Sequence, residues 1–467
     1  MLWDRKQELA VLGELDGGGG LAVVWGRRRI GKTRLLLEWS ERAGGVYTVA
    51  DQSAPDLQRA YFARAISQAL PGFADVTYPD WERLLSRLAA DAMSAGFTGP
   101  IVIDELPYLV AASPELPSIL QRWIDHEAKR AKLRVALAGS SQRMMQGLVL
   151  SHAAPLYGRA RVTIDLAGLS PEHLRAAFGQ LTPVAVVGHW AAFGGVPRYW
   201  ELAAERRGSA RDRVLALALD PLGPLFAEPE RLLLEESPPA VELRPVLDAI
   251  GGGAHRLSEI AGRLGRPVTS LGHALDRLTG MSLVRREVPY GESAKGGKRS
   301  LYKIDDPFLR LWFRAVAPNR AALTAGTPAS RAAVLDEHWH LLLGQAWEEL
   351  CRRGVPTIRG ALARRGPWRP PSRYWHGAEP EWDLVADAIE GDRILVGEAW
   401  FSARPASAAV VVREAERLAR RPVPPMIGAR EVVRALFVPA VVASAPKLAA
   451  SVHIVTLADL VGRSSAR

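Results

Sequence analysis

Lys32 and Thr33 end the octapeptide Gly26-Arg27-Arg28-Arg29-Ile30-Gly31-Lys32-Thr33. This has the form G-x-x-x-x-G-K-[ST], a loop whose backbone N–H groups can cradle nucleotide phosphates. Lys32 would reach the β- and γ-phosphates and Thr33 would hold Mg²⁺. The flanks are of the right kind. Leu21-Ala22-Val23-Val24-Trp25 reads as a buried parallel strand, and Arg34-Leu35-Leu36-Leu37 opens a helix whose N-terminus favours anions. Residues 26–34 are therefore the expected phosphate-binding stretch. A second apolar run, Ile101-Val102-Ile103, ends in Asp104-Glu105. Asp104 at a strand's carboxyl end can enter a Mg²⁺ shell, and Glu105 can activate a water. Ser140 and Ser141 end a further run, where a hydroxyl could meet the γ-phosphate; an ordinary Gly-Ser-Ser turn would look the same. Arg159 is a candidate arginine finger on the transferring phosphate, in a chain rich in surface arginines.

The elements that must position these groups alternate. Strands are predicted at 21–25, 101–103, 133–138 and 161–166, with helical patterns between them, such as Leu116, Ile119, Leu120, Trp123 and Ile124 on one face. Strands alternating with helices predict a parallel sheet covered on both sides. A helix over 4–14 precedes the first strand. From about 170 to 235 the pattern is helical, broken at Gly194-Gly195-Val196-Pro197. Short helices and a polar, glycine-bearing hairpin follow over 241–304. Pro318 to Pro328 reads as a linker or helix boundary. From about 330, helices mix with apolar strands at 394–396, 436–438 and 453–455.

Length and composition set the outer limits. At 467 residues the chain needs several cores, and 48% hydrophobic residues place it among folded proteins. One cysteine excludes an internal disulfide and a thiolate zinc site. No apolar run has the length of a membrane span, and the first residues lack a signal-peptide core, so a cytoplasmic location is expected. The net charge of +10 is compatible with nucleic acid without demonstrating it.

The order of the motifs resembles the archaeal-type P-loop ATPases related to the AAA+ and STAND groups. The likeness rests on Asp4-Arg5-Lys6-Gln7-Glu8-Leu9, the arginine-rich P-loop, Ile103-Asp104-Glu105, Gly139-Ser140-Ser141 and Leu156-Tyr157-Gly158-Arg159. It continues in Gly194-Gly195-Val196-Pro197-Arg198-Tyr199 and in Asp306-Pro307-Phe308-Leu309-Arg310-Leu311-Trp312-Phe313. The resemblance implies ATP and Mg²⁺ as cofactors, an AAA+-like core over 1–168 and a helical lid over 169–237. Pro197 in that lid would pack against the base.

A winged helix is expected over 238–318. Leu257–Gly265 reads as the first helix of a helix-turn-helix, with Ser258 as a cap. Residues 268–278 read as the second, with Leu271, Leu275 and Leu278 inward and Thr269, Ser270, His273 and Arg277 outward. The hairpin tip carries Lys295, Lys298 and Arg299, cations suited to DNA phosphates. A winged helix used for protein contact would carry the same pattern. The last part, 330–467, resembles the PD-(D/E)XK nuclease fold, with Asp383 and Glu398 as metal carboxylates and Glu348 as helper. The lysine of that motif is replaced by Trp400, and Arg393 and Arg404 cannot deprotonate in its stead, so a degenerate, non-cutting module is expected.

The reading is thus an α/β protein: a P-loop NTPase sheet with a helical lid, a winged helix and a restriction-endonuclease-like α/β domain. It would act as a Mg-ATP switch coupled to double-stranded DNA. The alternatives are a protein-partner signalling or assembly ATPase and an ATP-gated nuclease. A nucleotide-dependent homo-oligomer and no membrane partner are expected.

Overall fold

The computed structural model describes residues 3–140, 145–152, 154–236, 242–293, 299–442 and 452–461. Ser141, Lys295 and Lys298 lie outside them. The chain divides into two compact units, Met1–Leu169 with Val196–Arg198, and Ser170–Gly195 with Tyr199–Arg467.

The first unit is built on a parallel sheet of five strands: β1 (Gly20–Trp25), β2 (Val46–Val49), β3 (Pro100–Asp104), β4 (Arg134–Gly139) and β5 (Ala160–Asp165), in the order β2-β3-β4-β1-β5. Residues 21–24 of β1 and all of β3 are buried, as their unbroken apolar runs require of strands covered on both faces. At the edge, β5 alternates, with Val162 and Ile164 inward and Arg161, Thr163 and Asp165 outward. Helix Trp81–Ala95 starts on Asp80, whose carboxylate accepts the Arg83 N–H at 2.8 Å. It buries Trp81, Leu84, Leu85 and Leu88 in the same core as Leu21, Val23, Ile101 and Val135. Helix Lys32–Arg42 follows Gly31, whose φ of +96° lies in the left-handed region that glycine tolerates. The opening helix spans Lys6–Gly13.

In the second unit, helices Pro183–Phe193, Arg244–Gly251 and Leu257–Leu264 come first, and a 3₁₀ turn at Val268–Leu271 runs into helix Gly272–Gly280. An antiparallel pair follows, β6 (Val284–Glu287) and β7 (Leu301–Ile304). Leu271, Leu275 and Leu278 are buried as expected. Ser258 does not cap. The helix starts after Arg256, and Glu259 reaches back to accept the backbone N–H groups of His255 and Arg256. The segment between Pro318 and Pro328 is a helix boundary: Arg320–Ala325 ends at Gly326, and Thr327 caps the long helix Pro328–Gly354.

That helix leads into a second five-stranded sheet: β8 (Ser372–Tyr374), β9 (Trp382–Asp387), β10 (Arg393–Ala399), β11 (Glu431–Val438) and β12 (Val452–Thr456). Strands β8, β9 and β10 form an antiparallel meander, and β10, β11 and β12 run parallel. Helix Ala408–Arg420 makes the crossover between β10 and β11 and buries Val411, Ala415 and Leu418. Tyr290, beyond β6, packs against the core of this sheet. Its N–H donates to the Arg373 carbonyl at 2.7 Å and its hydroxyl to Asp387 at 2.6 Å.

Candidate functional site

The P-loop leaves β1 at Trp25 and turns on Gly26, where a Cβ would stand 2.6 Å from the Leu166 carbonyl oxygen, so no side chain fits. Arg29, with φ +64°, and Gly31 complete the turn. Lys32 is buried, and its Nζ donates to the carbonyls of Gly26 at 2.7 Å and Arg27 at 3.1 Å. Thr33 Oγ1 donates to Asp104 Oδ2 at 2.9 Å. Arg28 reaches the Tyr108 hydroxyl at 3.2 Å, and Arg34 is exposed on the first turn of the helix. Pro197 belongs with this unit, and a Cβ added at Gly31 would meet its ring at 3.6 Å.

Asp104 ends β3 and is 1% exposed. Its carboxylate accepts the Thr33 hydroxyl, the Tyr47 hydroxyl at 2.7 Å and the Glu105 N–H at 2.9 Å. Burial, and then the Asp104 charge beside it, push the Tyr47 phenol far up, so it remains a donor at neutral pH. Glu105 stands in the left-handed region with φ +55°, a conformation that costs a side-chain-bearing residue about 1–3 kcal/mol and gathers at functional sites. Ser140 holds both of its oxygens, through the hydroxyl at 2.6 Å and the N–H at 3.2 Å.

Two contributors to this site are absent from the sequence-based expectation. Tyr47 lies on β2, a strand of four residues whose alternation is too short to stand out. Arg5 is the other. Its buried guanidinium donates to the Ile30 carbonyl at 3.0 Å, to the Ala167 carbonyl at 2.9 Å and to Glu8 at 2.7 Å. It thereby ties the P-loop to the exit of β5. Only its place in the opening Asp4–Leu9 motif hinted at it.

Arg159 is not brought to this site. It directly precedes β5, whose Ala160 pairs with Leu21 near the start of β1. The P-loop leaves the other end of β1, roughly 16 Å of strand away at ~3.3 Å per residue. Its guanidinium is held by Asp125, with Nε at 2.9 Å from Oδ1 and Nη2 at 2.9 Å from Oδ2. A finger acting on its own P-loop is excluded by this placement.

The other expected residues lie in the second unit. Thr269, Ser270 and His273 are exposed and Arg277 is half-buried. The Ser270 hydroxyl is already donated to the Pro267 carbonyl at 2.8 Å. Arg299 is paired with Glu292, and its carbonyl accepts the Trp375 indole N–H at 3.2 Å. Asp383 on β9 accepts the Ala399 N–H at 3.0 Å. Burial, with the charges of Glu348 and Glu398 behind it, pushes its carboxyl up to about 6. Glu398 is paired with Arg421, and Glu348 with Arg352 at 3.5 Å. Among the described residues no group of three or more His, Cys, Asp or Glu is placed to hold a metal ion. Of the expected carboxylate trio, Glu348 and Glu398 are paired with arginine, while Asp383 is held by a backbone N–H and feels the charge of the other two.

Residues 2–201 match a family described as an ATPase domain predominantly from Archaea, and residues 312–413 match one described as archaeal and bacterial proteins of unknown function. The N-terminal part of the chain is thus an archaeal-type P-loop ATPase domain, and residues 312–413 are similar to the domain of unknown function. An uncharacterised protein of Methanocaldococcus jannaschii is 29% identical over 83% of this chain and 84% of its own. Among solved structures, a Walker-type ATPase of Pyrococcus abyssi superposes with a TM-score of 0.52 at 20% identity, covering 67% of this chain and 96% of that one. That likeness speaks for the fold. The ORC2 protein of Aeropyrum pernix reaches a TM-score of 0.45 at 14% identity, over 73% of this chain and 95% of its own. No helix among the described residues is long and apolar enough to cross a membrane.

Proposed function

We propose that the chain binds and hydrolyses Mg-ATP as a conformational switch of the AAA+/STAND kind. The observation that carries this reading is the Thr33–Asp104 contact of 2.9 Å at the mouth of the P-loop. The donors suit Mg²⁺, a hard cation that takes hydroxyl and carboxylate oxygens. The cradle suits phosphates, since Gly26 leaves the backbone bare and Lys32 is buried within the loop. Bound there, the metal ion would neutralise charge on the phosphates.

Each residue then has a task. Residues 26–34 hold phosphates, Thr33 and Asp104 hold the ion, and Tyr47 steadies Asp104. Glu105 takes the proton of the attacking water. Ser140 clasps Glu105, and a γ-phosphate competing for the Ser140 hydroxyl would free the carboxylate. Nucleotide occupancy is thereby coupled to the readiness of the base. Pro197 reports the same event to a lid over 169–237. Arg159 serves catalysis only across a homo-oligomer interface, where its Asp125 partner would have to be exchanged for phosphate.

Residues 238–318 act as a winged helix. Duplex DNA is the favoured partner, met by Thr269, Ser270, His273 and Arg277. The hairpin is the weaker half of that surface, because Arg299 is engaged by Glu292. A protein partner on the same helices is the second reading. Residues 330–467 serve as a scaffold of degenerate nuclease ancestry, supported by the arginine pairing of Glu398 and Glu348.

The test is ATP turnover of wild type and Glu105→Gln, each with and without duplex DNA over a salt series. A DNA-coupled switch shows turnover that rises with duplex, loses the rise steeply as salt increases and vanishes in Glu105→Gln. Turnover indifferent to duplex at low salt removes DNA in favour of a protein partner. Normal hydrolysis by Glu105→Gln overturns the catalytic assignment.

A further inference from the structure

The second unit encloses a cavity between helix Arg244–Gly251, the β6–β7 pair and the long helix Pro328–Gly354. Water-sized centres have about 40 Å³ of room in it. At ~10–15 Å³ per water centre this is space for about three waters, which is the scale of one tetrahedral oxyanion and too small for a nucleobase. Its wall carries Arg285, Lys303, Arg310, Arg314 and Arg352 against a single carboxylate, Glu348.

Partners behind the wall absorb part of this charge. Arg285 is shared by Glu287 at 2.8 Å and Asp305 at 3.0 Å, and Arg310 is held by Glu349 at 2.9 Å. Three cations keep donors to spare. Lys303 meets Glu287 at 2.9 Å and has two further N–H donors. Arg352 reaches Glu348 only at 3.5 Å and the Asp383 carbonyl only at 3.4 Å. Arg314 meets no carboxylate among the described residues, and its Nη1 touches the Gly251 carbonyl at 3.4 Å. Burial pushes Lys303 down to about 8, with Glu287 opposing, so the ammonium stays charged at neutral pH. Beside it, burial and the Lys303 charge lower His255, which is neutral there. Half-buried cations without enough counter-charge are costly, and an anion that enters relieves the cost. Guanidinium forks match the oxygens of a phosphate in particular. The rim holds the exposed Leu341 beside Gln345, which leaves an opening for whatever the phosphate is attached to.

We propose that this cavity is a second anion site, distinct from the P-loop, that takes one phosphoryl group, either as inorganic phosphate or as the end of a small phosphomonoester. It bridges the helix-and-hairpin module and the helix that leads into the C-terminal sheet. An occupant would fasten those parts together independently of the nucleotide. The inference does not depend on the ATPase reading.

The full chain carrying Lys32→Ala, which disables the P-loop as a competing phosphate site, is titrated with inorganic phosphate and separately with glycerol 3-phosphate at constant ionic strength, reading the melting temperature. A saturable rise is expected, weakened at least tenfold in apparent affinity by Arg314→Gln and largely kept by Arg314→Lys. Saturation by both ligands, tighter for the monoester, assigns the site to phosphomonoesters, whereas saturation by phosphate alone assigns it to the free ion. Lys303→Gln guards against misfolding of the first variant and should weaken binding likewise, with an unchanged circular dichroism spectrum. A rise that never saturates, or that is the same in Arg314→Gln and Lys303→Gln, overturns the proposal. So does an Arg314-dependent shift produced by a duplex oligonucleotide and not by either small phosphate.

Discussion

Two sets of acidic residues face opposite fates in this molecule. In the first unit, Asp104 and Glu105 are held by neutral donors: the hydroxyls of Thr33, Tyr47 and Ser140 and two backbone N–H groups. In the second, Glu398 and Glu348 are held by the guanidinium groups of Arg421 and Arg352. Neutral donors fix a carboxylate without consuming its charge, which stays available to a cation or a proton. A guanidinium offsets part of it. Both sheets carry acids, and the character of their partners differs: neutral donors in the first, guanidinium groups for Glu398 and Glu348 in the second.

The largest effects should come from the first set. Lys32→Ala removes the P-loop's ammonium and should abolish nucleotide binding in a fluorescent-nucleotide titration. Glu105→Gln should keep that binding and lose about 10²–10⁴-fold in turnover, the usual worth of a positioned base. A loss below tenfold would place the base elsewhere. Ser140→Ala sharpens the comparison. It frees Glu105 from its clasp and removes a donor to the γ-phosphate, so turnover should fall by roughly tenfold while nucleotide affinity changes little.

In the second set, wild type should cut no duplex with Mg²⁺ or Mn²⁺. Trp400→Lys alone should remain inert, because Arg421 still pairs with Glu398. Cleavage by wild type on a gel would erase the distinction between the two sets. The smallest effect is a pH dependence. Unfolded aspartate titrates near ~3.9, and Asp383 in the fold near about 6. Between these values the folded state binds more protons, so this group's contribution to stability falls as pH rises through the window and stays low above it. Asp383→Asn should therefore gain on wild type above pH 6, by roughly 1–3 kcal/mol in urea midpoints, and the gain should vanish below pH 4.

The core of the first unit was legible because its strands are unbroken apolar runs and its loop is a fixed string of glycines, lysine and threonine. The edge strand β2 was not, since four residues with a tyrosine and a threonine carry little periodic signal. With it went Tyr47. The helix start at Leu257 was placed correctly while its cap was misassigned to Ser258, because Glu259 reaching backwards competes with a hydroxyl for the same N–H groups. Asp383 and Glu398 were legible only through the resemblance to a nuclease pattern, and the strand that carries Asp383 was not among the expected ones. The pairing of Glu398 was not legible, since Arg421 lies 23 residues beyond Glu398 and meets it only through the fold. Arg159 was read from a local motif, and the parallel register of β5 against β1 decided that it stands away from the phosphates.

The Arg5 clamp has a consequence for synthesis. Its two carbonyl acceptors, Ile30 and Ala167, lie 25 and 162 residues further along the chain. A ribosome adding about 5–20 residues per second needs roughly 8–30 s to cover the longer gap. For that time the nascent P-loop can have its glycines, its lysine and its helix, yet lack the strut that fixes its floor. Nucleotide capture by the growing chain should thus begin as a late event, timed by the emergence of residue 167 rather than of the loop itself.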